Sequence, residues 1–141
     1  KIVEGWSDAY YADFTAGSEK GKRPIVLSYD SSPAFTVDGS GESCPRALLD
    51  TCFNQVEYAG VLAGAANPEG ADAVVEFLLS DEVQAALPTS MYVYPVSAVA
   101  ELPDDWATWA PSPATPWEIA PTEIAANRDI WLRDWTEVVT R

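Results

Sequence analysis

Histidine is missing altogether from the 141 residues, and basic side chains are scarce: 8 Lys+Arg stand against 22 Asp+Glu, a formal net charge of -14. The first absence removes the usual general base near neutral pH, the Ser-His-Asp arrangement, and most zinc and copper sites. The second sets up a field that repels nucleic acid and anionic membrane surfaces and attracts cations. Solubility alone accounts for such a charge better than any specific role, because a global charge does not define a site. No apolar run approaches the length that spans a bilayer, and no secretory leader is visible. Cysteine is limited to Cys44 and Cys52, whose spacing is unlike CxxC redox or zinc motifs. As a sole pair flanking a short loop they are expected to form a disulfide, which would contribute roughly 2 to 3 kcal/mol in the chain-entropy model and place the protein in an oxidising, extracytoplasmic compartment. Two unrelated thiols are the alternative.

What is present is one domain's worth of chain with 48% hydrophobic residues, enough for a core. It is organised around Ile25-Val26-Leu27-Ser28-Tyr29-Asp30-Ser31-Ser32-Pro33-Ala34-Phe35. The continuous apolar run Ile25 to Leu27 predicts a strand covered on both faces, and Ser32-Pro33 reads as the cap and first residue of a short helix. Ligands of open α/β sheets sit beyond the carboxyl ends of strands, where Tyr29, Asp30, Ser31 and Phe35 would project. A plain strand-to-helix turn with aromatic packing is the competing reading.

Upstream, Lys1-Ile2-Val3-Glu4 is a strand candidate, and Ser7 is expected to cap a helix running through Phe14 to Gly17. Together these predict a strand-helix-strand unit with parallel strands and a right-handed crossover, bringing Trp6 and Tyr29 to one rim of the sheet. The chain begins inside an element without an initiator methionine, so it is expected to be a piece of a longer protein. Asp38 to Ser43 reads as a flexible turn, because it lacks the alternating acids and distant glutamate of an EF-hand. Phe53 to Leu62 alternates like a strand.

Asn67-Pro68-Glu69 opens a helix with Ala71, Val74, Val75 and Leu78 on one face, and Ser80 caps a second that Pro88 is expected to stop. An extended stretch follows, with Tyr92 and Tyr94 on the same side. The proline-rich segment from Pro103 to Pro116 reads as irregular chain anchored by Trp106, Trp109 and Trp117. Pro121 starts a final helix whose Ile124, Trp131, Trp135 and Val138 form an apolar stripe, read as a core face.

Gly5-Trp6-Ser7, Leu27 to Phe35, Gln55-Val56-Glu57, Pro68 to Ser80, Tyr94-Pro95-Val96 and Glu123 to Arg128 resemble the C-terminal half of thiamine-binding solute-binding proteins of ABC importers. The Trp-Ser pair and Leu-Ser-Tyr-x-x-Ser-Pro-Ala-aromatic are the specific parts of the match. The resemblance implies an α/β, two-lobed type II periplasmic-binding-protein fold, of which residues 1–141 are a C-terminal portion with pieces of both lobes. It also implies a cleft for thiamine or its phosphates, delivery to a membrane permease, an extracytoplasmic location, no catalysis and no cofactor. The implied ligand contacts are Trp6, Tyr29 and Phe35; the family often has tyrosine at the last position, so Phe35 keeps the ring and loses a hydroxyl. Asp30 would offset the thiazolium charge, and Ser31 and Ser32 with the amides after Pro33 would receive a phosphate. Three competing functions remain open. Tyr10-Tyr11 resembles the paired tyrosines of ferric-ion carriers, Asp30 with Ser31 or Ser32 could serve a hydrolase lacking any activating histidine, and a structural cell-surface module needs no site at all.

Overall fold

Local start signals decide where the helices form. In the computed structural model, which describes residues 1–140, the Asn67 side chain accepts the Gly70 amide at 3.0 Å and opens α1 (Pro68–Leu78). Pro68 costs nothing there, since a first-turn amide has no partner inside the helix. Ser80 accepts the Val83 amide at 3.4 Å to open α2 (Asp81–Met91), which packs on α1. A short α3 (Asp104–Trp109) follows Pro103, and α4 (Pro121–Val139) begins at the proline expected to start it. Two tighter pieces, a π-helical turn at Asp8–Asp13 and a 3₁₀ turn at Ser32–Phe35, complete the elements used below.

The chain divides into two units. One comprises Lys1–Ser28, Leu48–Asn54 and the stretch from Pro113 onward; the other comprises Tyr29–Ala47 and Gln55–Ser112. In the first, the turn after Phe14 folds back so that Lys22 and Arg23 amides both donate to the Asp13 carbonyl and the Thr15 amide donates to the Arg23 carbonyl, each at 2.9 Å. Gly17 and Gly21 permit this: a Cβ would stand 1.9 Å from the Tyr10 carbonyl oxygen at Gly17 and 2.1 Å from that of Phe14 at Gly21. The second unit has its core in Ala34, Trp106 and Ala110, flanked by Tyr94, Leu102 and Trp109.

The expected α/β fold with parallel strands is overturned: among the described residues there is no sheet, only the isolated bridges Phe14 to Arg23, Val37 to Ser43 and Phe53 to Trp117. Lys1 to Glu4, Ile25 to Leu27 and most of Phe53 to Leu62 run without ladder partners. Ile25 is 73% exposed and Leu27 93%, whereas a strand buried on both faces needs paired neighbours and covering layers. The predicted disulfide is absent: no bond joins Cys44 to Cys52. Smaller corrections have local causes. Ser7 precedes a π-turn closed by the Phe14 amide on the Ala9 carbonyl, and its side chain makes no capping bond. Pro88 lies inside α2, buried, and the helix ends only at Tyr92, which takes the left-handed conformation (φ 60°) of a helix C-terminal cap. The segment after Pro103 is helical through Trp109, and the stripe Ile124, Trp131, Trp135 and Val138 on α4 is exposed where a core face was expected.

Candidate functional site

Tyr29 to Phe35 is shaped by its own hydroxyls and a proline. The Ser32 amide donates to the Tyr29 carbonyl at 3.0 Å while the Tyr29 amide donates to the Ser32 hydroxyl at 3.3 Å, closing a reciprocal turn. Ser31 caps the 3₁₀ turn by position, with Pro33 inside it, one residue earlier than the expected Ser32 cap. Both serines are buried. The Ser31 hydroxyl donates to the Tyr92 carbonyl at 3.4 Å, and the buried Ser43 hydroxyl donates to the Pro33 carbonyl at 2.6 Å. These bonds fix the turn from three sides and leave the Tyr29 ring projecting, 67% exposed.

Phe35 is held edge-on by two rings: Tyr92 at 4.5 Å between centroids with planes at 86°, and Trp106 at 5.5 Å and 83°. Such T-shaped contacts set the positive ring edge against the negative face of its neighbour and contribute about 0.5 to 1.5 kcal/mol each beyond burial. Trp106 is fully buried and also meets Tyr94, whose hydroxyl donates to the Ala110 carbonyl at 2.8 Å. Phe35 therefore stands on a rigid aromatic base with part of its surface open. Tyr92 and Trp106 belong to this cluster; Tyr92 and Tyr94 were expected on one side of an extended stretch, but Tyr92 is the left-handed cap of α2, and its meeting with Phe35 was not legible from the spacing.

Asp30 is partly buried, and that burial raises its carboxyl above the usual 3.8, with amide bonds from Ser31 and its own backbone pulling the other way. A half-desolvated carboxylate is poised to gain from a cation, which returns some of the stabilisation lost from water. Asp38, fully exposed, is lowered instead by the Ser40 hydroxyl and by the Ser40 and Glu42 amides, the internal bonding of a turn.

Trp6 belongs to the first unit and the other five candidate contacts, Tyr29, Asp30, Ser31, Ser32 and Phe35, to the second. The Trp6 indole N–H donates to the Ser28 hydroxyl at 2.8 Å, and its ring stacks on Tyr10 at 4.8 Å with planes 14° apart. One indole face is thus covered, and the residue remains 38% exposed. Tyr10 is buried among Trp6, Tyr11 and Phe14, and its ring stands perpendicular to Tyr11, so the pair shares an aromatic packing role.

The chain is 33% identical over 142 residues to the thiamine-binding periplasmic protein of Salmonella typhimurium strain LT2 and equally to that of Escherichia coli strain K12, in each case across 99% of this chain. It is 31% identical over 144 residues to the thiamine-binding periplasmic protein of Brucella melitensis, again across 99% of this chain. In all three the match covers 41% of the relative, so the chain spans well under half the length of these curated relatives, a share consistent with their C-terminal half. No family model matches the chain, and no solved structure matches it. The printed names of these relatives agree with one another.

Proposed function

We propose that this chain, a homologue of thiamine-binding periplasmic proteins, is part of an extracytoplasmic solute-binding protein that captures thiamine or its phosphates and hands it to the membrane permease of an ABC importer. The observation that carries the reading is similarity to such proteins along 99% of the chain. Binding proteins of this kind catalyse nothing, and the absence of histidine beside Ser31 and Ser32 is in keeping with that. The periplasmic location comes with the same homologues.

The chemistry of the candidate residues supports the ligand. Thiamine joins a flat pyrimidine to a permanently charged thiazolium, and both halves suit aromatic faces near a carboxylate. Tyr29 offers an open ring, Trp6 an indole steadied from one side, and Phe35 a ring with a fixed tilt. A desolvated cation–π contact contributes up to about 2 kcal/mol, so two or three supply a substantial part of the roughly 8 kcal/mol of a micromolar site. Asp30 answers the thiazolium charge. Ser31 and Ser32, with the amides after Pro33, are the groups proposed to receive a phosphate of a thiamine ester; in this structure both hydroxyls are buried and bonded internally.

Thermal shift and calorimetry on the full-length protein against thiamine, its mono- and diphosphate, and ferric ion test the reading. A rise in melting temperature with thiamine or a thiamine phosphate is the expected result. A rise with ferric ion alone, or with none of them, rejects it.

A further inference from the structure

We propose that Gln84 is a positioning residue for the aromatic face presented by Phe35, a role that rests on the thiamine-binding reading. Gln84 lies in α2, is buried at 4% exposure, and bonds both its amide nitrogen and its amide oxygen to backbone. Its Nε2 donates to the Leu78 carbonyl at 2.8 Å, and its Oε1 accepts the Val96 amide at 2.8 Å and the Ser97 amide at 3.2 Å. A buried glutamine with three good bonds is tolerated easily; removing it takes those bonds from the Leu78 carbonyl and the Val96 and Ser97 amides and loosens what they hold.

The two accepted bonds hang the end of the Tyr92 to Ser97 segment from α2. Its other end is held by the Ser31 hydroxyl on the Tyr92 carbonyl, and its middle by the Tyr94 hydroxyl on Ala110. Tyr92, at the anchored first end, stands at φ 60°, a conformation unfavourable for a bulky side chain that persists only where the surroundings over-determine it. In that conformation its ring meets Phe35 at 4.5 Å. Gln84 therefore acts on Phe35 through Val96 and Ser97, the held segment and the Tyr92 ring, without touching ligand. A site held only loosely by its supporting groups loses affinity even when every contacting residue is present.

The test is thiamine titration by calorimetry on the full-length protein, with melting temperatures recorded for each variant. Gln84→Met keeps the shape and removes all three bonds, and it should bind thiamine about tenfold more weakly. Gln84→Glu keeps acceptors for the Val96 and Ser97 amides and loses the donor to Leu78; it should melt lower yet bind within about threefold of the unmodified protein. Asn67→Ala removes the α1 cap, remote from this segment, and should lower the melting temperature with affinity unchanged. Full affinity in Gln84→Met overturns the proposal, as does affinity falling in step with melting temperature across all three variants. Should Gln84→Met fail to fold, the Gln84→Glu and Asn67→Ala pair decides: an affinity loss of about tenfold in Gln84→Glu overturns it, and retention supports it. No thiamine binding by the unmodified protein rejects the functional reading and this inference with it, whereas normal binding there with the wrong variant pattern rejects this inference alone.

Discussion

Tyr29 and Asp30 are neighbours with opposite experimental virtues. The Tyr29 ring is mostly in solvent, so Tyr29→Ala leaves the turn's own bonds, which run through the backbone and Ser32, in place. Its effect on thiamine affinity in the full-length protein should be a loss of about tenfold or more, measured by calorimetry at constant melting temperature. Trp6→Ala should weaken binding similarly, but it also removes the stack on Tyr10 and the bond to Ser28, so its stability must be read alongside. Asp30 gives a pH signature. Its folded carboxyl is raised above 3.8, so the folded state holds the proton more tightly than the unfolded chain does. The group's contribution to stability is then fully present below 3.8 and is lost as pH rises through the raised value, leaving the ionised form a burden at neutral pH. Asp30→Asn should accordingly raise the melting temperature of the ligand-free protein at pH 7, with the gain vanishing as the buffer is taken below pH 3.8. A variant less stable than the original at pH 7 would mean that the amide bonds from Ser31 and Asp30 outweigh desolvation. The turn from Tyr29 to Phe35 was legible in the sequence because an apolar run meets hydroxyls and a proline there. Gln84 was not, because a glutamine inside a helix looks like surface until its three backbone partners are seen.

At the scale of elements, what was legible was whatever four or five consecutive residues decide. Asn67-Pro68, Ser80 and Pro121 marked the starts of α1, α2 and α4 because capping and proline geometry are local. Strands are decided by partners elsewhere, and Ile25 to Leu27, apolar though it is, has no ladder to join among the described residues. Pro88 misled for a related reason. Its penalty is the lost amide bond and a ring clash, yet the ring is buried here and α2 continues to Met91. Two stability measurements follow. Asn67→Ala should cost about 1 kcal/mol, the usual value of a side-chain cap, seen as a shift of the denaturation midpoint with unchanged slope. Gly17→Ala should cost about 2 kcal/mol or more, since the new methyl meets the Tyr10 carbonyl, and backbone on both sides must shift to admit it.

Across the whole molecule the described residues bury few large side chains, and Tyr10, Phe14 and Trp106 account for the buried aromatics. Many apolar ones stand open: Ile25, Leu27, Tyr58 and Leu62 in irregular chain, Val74 and Phe77 on α1, Trp131, Trp135 and Val138 on α4. The α4 stripe is the most telling, because Trp131 and Trp135, four residues apart, with Val138 three further on, beside Arg128, Asp129, Arg133 and Asp134, have the pattern of a face made to be covered. Among the described residues it stays open over more than a third of each side chain. A net charge of -14 keeps chains apart at long range but is screened within about 10 Å at 0.1 M salt, closer than which exposed indoles attract one another. The 141-residue chain in isolation should therefore self-associate, and more strongly as salt is added, which light scattering at two ionic strengths would read directly. It should also bind an apolar dye such as ANS. Trp131→Glu with Trp135→Glu should suppress both behaviours, since two charges in the stripe oppose stacking by repulsion and by their own desolvation. A chain that remains monomeric and dye-free at 0.5 M salt (about a 4 Å screening length) would show that the stripe is covered by a rearrangement of α4 within the chain itself.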